Sequence, residues 1–117
     1  MMIKVKNIYT ETIVGAYESE KKRKQPLVIS LKLKYDAGKS GKTDNLEDTL
    51  NYHLIVDKIK KHIESKEYNL VEHAVEDIGE IVMSFDKVKS CKVEAAKTKG
   101  PIEYIDSFSV IKSFKRQ

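Results

Sequence analysis

The chain has one cysteine. Cys91 therefore has no partner for an internal disulfide, and its strand-like surroundings predict a buried thiol. No apolar stretch approaches the roughly 18 residues that a membrane helix needs. The opening "MMIKVKNIYT" alternates like a strand and carries no signal-peptide core. A cytoplasmic protein without a membrane segment is the expectation. Metal-ligand patterns are also missing. His53, His62 and His73 form neither an i, i+4 pair nor an H-x-H pattern, so no metal and no bound cofactor are expected. "AGKSGKT" (37–43) looks superficially like a phosphate loop. It lacks the G-x-x-x-x-G-K-[ST] spacing and no helix is expected directly after it, so it is read as a turn. Spacing alone supports no Ser/His/Asp constellation.

What is present fits one domain over residues 1–117 with a modest core. Charged residues make up 34% of the chain and the net charge is +4, which mildly favours anionic partners. The one dense basic run is "EKKRKQ" (20–25). Such a run is ordinarily a solvated turn.

The hydrophobic period changes twice. Residues 2–9 alternate, with Ile3, Val5 and Asn7 on one parity. "LVISLKLKYD" (27–36) places Leu27, Ile29, Leu31, Leu33 and Tyr35 on one face, which predicts a long half-buried strand. In 53–66 the apolar positions are Ile55, Val56, Ile59 and Ile63; in 69–85 they include Leu70, Ala74, Val75, Ile78, Val82 and Phe85. Both have the spacing of one helix face. The short link "SKEY" predicts antiparallel helices, and Asn69 looks like the cap of the second. Strands return at 88–99 and 106–114, where Cys91, Val93, Ala95 and Lys97 share a parity and Phe108, Val110 and Phe114 share another. The order ββααββ predicts an α+β fold: a four-stranded antiparallel sheet with two antiparallel helices on one face.

Helices on one face leave the other to water or a water-filled lumen. That face carries Ser30, Lys32, Lys34, Lys92, Glu94 and Ser109. Long strands in so small a domain also leave edges to manage. Closing the sheet against copies of itself into a barrel would remove them.

Four polar residues sit oddly. Tyr52 lies between a loop and a helix start, where a tyrosine is usually a half-buried anchor. Lys97 ends an apolar parity, where a lysine usually snorkels out of the core edge. Glu20 sits in the charged turn. Glu72 falls in the first turn of a helix, whose positive end favours a negative charge.

Together these residues match a pattern. Gly15, Glu20 and Gln25 precede a long strand; Asp48, Thr49 and Tyr52 form D-T-x-x-Y before the first long helix. Asn69 to Glu72 form N-L-x-E at the second helix, and Lys97 precedes the step Pro101-Ile102. In these segments the chain resembles the dihydroneopterin aldolase family over nearly its whole length. It departs from many members at "TETIVG" (10–15), where only Gly15 of an aromatic-Gly-aromatic-His-Gly stretch remains, and at "PIEYIDSF" (101–108). Both departures bear on the side-chain end of the pocket.

The resemblance implies a tunnelling fold (T-fold) and retro-aldol cleavage of 7,8-dihydroneopterin without metal or Schiff base. It implies that Glu72 and the Val71 main chain hold the pterin, and that Lys97 is the general acid/base. Tyr52 shares the proton traffic, and Glu20 binds the polyhydroxy side chain or holds Lys97. It further implies a homo-oligomer, a tetramer or octamer, with active sites between subunits. Lys99 competes with Lys97 for the lysine position. An epimerase of dihydroneopterin or its triphosphate is the near alternative. A non-catalytic module that docks an anion or nucleic acid is the distant one, although nucleic-acid binders show exposed aromatics on the strand face and this face shows Ser, Lys and Glu.

Overall fold

Two alternating runs open the fold as long strands. The computed structural model describes residues 1–98 and 104–117, so Lys99 and the Pro101-Ile102 step lie outside the described residues. β1 (Met2–Val14) and β2 (Gln25–Tyr35) pair antiparallel. β2 keeps its predicted period: Leu27, Ile29, Leu31, Leu33 and Tyr35 are buried, while Lys32 and Lys34 are exposed.

β1 does not keep one period. Its pairing slips between Val5 and Ile8, and Asn7 takes a left-handed φ of 62°. A bulge of this kind inserts unpaired backbone and switches the face of every later side chain. Ile3 and Val5 pack on the core before it; Ile8, Thr10, Thr12 and Val14 are buried after it. Asn7, expected on the inward parity, is exposed. The two buried threonines spend their hydroxyls on backbone: Thr10 Oγ1 donates to Leu27 O and Thr12 Oγ1 to Lys66 O, both at 2.6 Å.

The segment read as a plain turn contains a one-turn helix, α1 (Ser40–Thr43). α2 (Tyr52–Glu64) starts at Asn51, whose side chain accepts from Leu54 N at 3.2 Å, and it buries Ile55, Ile59 and Ile63. α3 (Val71–Met83) buries Val71, Ala74, Val75, Ile78, Gly79 and Val82. Asn69 is not its cap. The cap position is Leu70 in extended backbone, and no side chain closes the helix start. The last turn of α2 reaches the second turn of α3 through His62 and Asp77, as an antiparallel pair requires.

The link between the helices is itself a strand, β3 (Glu67–Tyr68), which pairs parallel with Ile13 and Val14 of β1. With β4 (Val88–Lys97) and β5 (Phe108–Lys115) the sheet has five strands in the order β3-β1-β2-β4-β5. The expected four-stranded, wholly antiparallel sheet is therefore corrected to a mixed one. A two-residue strand is too short to show a period of two, so no alternation announced it.

α2 packs over β1 and α3 over β4 and β5, all on one face. Cys91 is buried there, and burial pushes its thiol up to about 11. The outer edge of β1 is paired only at its last two residues. The radius of gyration is 15.5 Å and the extents are 52 × 25 × 24 Å. A compact globule of this length would have a radius of about 13 Å, so the domain is elongated. Among the described residues, no helix is long and apolar enough to cross a membrane.

Candidate active site

Register brings several strand ends to one end of the sheet. Thr12 pairs with Gln25, Leu27 with Lys97, Lys97 with Phe108, and Val14 with Tyr68. Lys97 lies on the helix-covered parity, one step past Ala95. It is the point where the core face runs out and a polar head is needed.

That head meets Glu20. Lys97 Nζ lies 2.8 Å from Glu20 Oε2, with the two side chains 12% and 7% exposed. Such a pair is nearly dry, so each charge depends on the other. Gln25 Nε2 donates to the same carboxylate oxygen at 3.3 Å and to Val14 O at 2.8 Å. Burial alone pushes the Glu20 carboxyl up, but the hydrogen bonds from Lys97 and Gln25 outweigh it, and the carboxyl ends below its ordinary value. It is a carboxylate at neutral pH.

Two oxygens remain unused. Glu20 Oε1 and Gln25 Oε1 are buried and accept no hydrogen bond among the described residues. A buried acceptor without a donor costs roughly 1–3 kcal/mol, so both oxygens have capacity left for a donor. Gly15 makes room for the Glu20 carboxylate. At φ +144° a side chain is strained, and a Cβ there would stand 2.2 Å from Glu20 Cδ. The carboxylate rests where a side chain on residue 15 would be.

Glu72 and Val71 reach the same end through a chain of backbone contacts. Gly15 N donates to Tyr68 O at 2.9 Å, and α3 begins three residues after Tyr68. Val71 is buried, Glu72 is exposed in the first turn, and no side chain caps the helix. Its free N–H groups and positive dipole end are therefore open to an acceptor.

Tyr52 is not brought to this place. It is half-exposed at the start of α2. Nearby Thr49 O accepts from Lys87 Nζ at 3.2 Å, at the beginning of β4, whereas Lys97 is its end. The other end of α2 is the one anchored near the site, where Lys66 O holds Thr12. A helix of this length puts about 18 Å between the two ends.

Sequence reasoning gave Gln25, Tyr68 and Phe108 no role. Gln25 stood in the motif and binds Glu20. Phe108 had been grouped with the core residues Val110 and Phe114, yet it is 46% exposed at the sheet end, with Lys97 Nζ 5.8 Å from its ring centre. Only strand register identifies it.

The helix start is held by Asp77. Its Oδ2 accepts from Tyr68 Oη at 2.7 Å and Lys66 Nζ at 3.0 Å, and His62 Nε2 lies at 3.0 Å. Burial pushes the Asp77 carboxyl up, but these three contacts outweigh it and hold it at about 2. Burial and Asp77 together raise the Tyr68 phenol above its usual range. A depressed carboxylate stabilises the fold above its unfolded value, 3.8, and that stability is lost as pH falls through about 2. Asp77→Asn is expected to cost roughly 2 kcal/mol at pH 5. It should also flatten the fall in stability between pH 4 and pH 2. Urea unfolding of both proteins across that range measures this, and an unchanged pH slope would count against the anchor.

A sheet covered on one face, with a buried carboxylate–lysine pair where that face ends beside an uncapped helix, defines a small-molecule enzyme of the half-barrel T-fold kind. The family model described as FolB, dihydroneopterin aldolase, matches residues 3–112. The chain belongs to that family of pterin-processing, folate-pathway enzymes. Over 115 residues it is 30% identical to the dihydroneopterin triphosphate 2'-epimerase of Escherichia coli K12, covering 98% of this chain and 95% of that protein. A Vibrio cholerae structure assigned as dihydroneopterin aldolase (FolB) superposes with a TM-score of 0.92 at 27% identity, covering 99% and 98% of the two chains. The Escherichia coli dihydroneopterin aldolase in complex with neopterin shares the fold at a TM-score of 0.90 and 23% identity, covering 97% and 98%.

Proposed function

We propose that the protein cleaves 7,8-dihydroneopterin by a retro-aldol reaction to 6-hydroxymethyl-7,8-dihydropterin and glycolaldehyde. The observation that carries this is the Lys97–Glu20 pair with its two unused acceptors. A polyhydroxy side chain supplies the donors that Glu20 Oε1 and Gln25 Oε1 lack. The Lys97 ammonium gives its proton, directly or through water, toward the ring nitrogen that will need one, and the free amine takes the proton from the side-chain hydroxyl next to the bond that breaks. That oxygen becomes the aldehyde, and the bonding electrons pass into the ring's adjacent C=N, which gains a proton. The ring is its own electron sink, so the mechanism calls for neither metal nor Schiff base. The carbon left on the ring then takes a proton while the ring nitrogen releases its own, which restores the C=N and gives the hydroxymethyl product.

Glu72 holds the pterin. The ring presents an amino group and a ring N–H side by side, which one carboxylate accepts together, and the Val71 main chain adds a contact. Glu72→Gln is expected to weaken pterin binding by roughly 1.5–3 kcal/mol while shifting folding by at most about 1 kcal/mol. Calorimetric titration with the product and thermal melting check both. Normal binding with an early melt would reduce Glu72 to a helix-end acid.

The sites are completed in a closed homo-oligomer, four copies to a barrel, alone or as two stacked rings. The elongated domain, the open β1 edge and the distance between Tyr52 and Lys97 support this.

A second reading has its own support. The epimerase relative spans nearly the whole chain, and residues 21–24, all Lys or Arg and all exposed, follow Glu20 directly. An epimerase breaks the same bond and re-forms it on the other face, and four cations beside the pocket suit a triphosphate. Incubation with 7,8-dihydroneopterin and, separately, its triphosphate separates the two. Glycolaldehyde from the first supports cleavage; an epimerised triphosphate as main product supports the second reading. Turnover of neither would leave the binding-module alternative.

A further inference from the structure

The uncovered face of the sheet holds a feature that the pterin site does not use. Lys4 of β1 pairs with Lys32 of β2, and Lys32 pairs with Lys92 of β4. Three lysines thus stand side by side across adjacent strands, their backbones at the strand spacing of about 4.8 Å. In the next row Lys34 and Lys115 flank Ser90. Like charges directly opposite one another destabilise a sheet. Among the described residues none of these lysines forms an ion pair.

Edge protection does not account for the row. Lysine on an edge strand deters unwanted pairing, and that covers Lys4 on β1. Lys32 and Lys92 lie on β2 and β4, which are flanked on both sides.

The surface there is also concave. Around the Asn7 bulge lies a groove of about 350 Å³ whose lining includes Lys4, Lys6, Asn7, Ser30, Lys32 and Lys92, with Glu94 as the one acid among the described residues that line it. Ser30 Oγ accepts from Asn7 N at 3.1 Å, which leaves its own hydroxyl proton to donate. The groove therefore offers a line of cations and hydroxyl and amide donors, and among the described residues no aromatic side chain lines it. A base or a pterin has nothing to stack on; a chain of phosphates meets a row of cations.

We propose that this groove binds a free inorganic oligophosphate, with Lys4, Lys32 and Lys92 as its cationic row. The site stands apart from Lys97 and Glu20 and does not depend on which pterin reaction the protein performs.

The test is calorimetric titration of the whole protein with sodium tripolyphosphate at fixed ionic strength. Binding is expected, and the double variant Lys32→Gln, Lys92→Gln should weaken it at least tenfold. That variant should melt no lower than the parent without ligand, because it removes repulsion. A second variant, Lys58→Gln with Lys61→Gln on α2, should bind as the parent does. ATP without metal should bind no more tightly than tripolyphosphate. The proposal is overturned if tripolyphosphate gives no binding, or if binding survives the Lys32/Lys92 variant. It is equally overturned if binding is lost in the Lys58/Lys61 variant, or if ATP or an oligothymidine binds more than tenfold tighter.

Discussion

Lys97→Ala is expected to depress turnover by about 100- to 10,000-fold, the usual cost of losing a positioned acid/base, while product affinity stays nearly unchanged. The split follows from a division of labour. Glu72 at the start of α3 holds the ring, and Lys97 at the end of β4 moves protons. Alanine also strands a nearly buried carboxylate, since Glu20 loses its 2.8 Å partner, so some loss of stability accompanies the loss of rate. Lys97→Gln separates the two effects. Its amide can still donate to Glu20 Oε2 but cannot accept and return a proton, so it should recover the melting temperature without recovering the rate. Lys99→Ala is the sequence-based control and should keep turnover. Single-turnover kinetics with dihydroneopterin on the three variants decides the matter. A dead Lys99→Ala beside an active Lys97→Ala would mean that the wrong lysine was matched.

The Glu20–Lys97 pair was legible in part because Lys97 broke a local pattern and Glu20 stood in the family motif. Lys97 stood on the parity of Cys91, Val93 and Ala95, where a charge needs a reason, and the structure supplies one in Glu20. The sequence does not state that residues 77 positions apart meet. That follows from Lys97 pairing with Leu27 while Gln25, two residues earlier, reaches back to Glu20. The parts that escaped were of two kinds. Asn7 and β3 escaped because periodicity averages over several residues, whereas a bulge occupies one or two positions and β3 only two. Gly15 was visible as a motif letter, but its use is steric, and only coordinates show a Cβ position already filled by the Glu20 carboxyl. Asn69 was misjudged as a cap because a good capping side chain one residue too early leaves the helix to start uncapped at Leu70. An uncapped start is an advantage where a ligand is to accept those N–H groups.

Tyr52 gives the second large effect. Tyr52→Phe alone should slow the reaction and alter the ratio of cleavage to epimerisation, because that ratio depends on how fast the carbon left on the ring is protonated before the fragment re-adds. The larger effect comes from mixing. Tyr52 begins α2 at the end of the sheet where Lys87 meets Thr49, and Lys97 closes β4 at the other. If one subunit supplies Lys97 and Glu20 and its neighbour supplies Tyr52, two weak variants can complete each other. Lys97→Ala and Tyr52→Phe, unfolded together and refolded in equal amounts, should form rings in which about a quarter of the sites carry both native residues, by random assortment in a symmetric oligomer. Activity should then rise from the low level of either variant to about a quarter of the native level. Each variant refolded alone serves as the baseline, and light scattering confirms that rings re-form. A mixture no more active than its components, with rings intact, would show that Tyr52 does not serve a site made with the Lys97 of another copy.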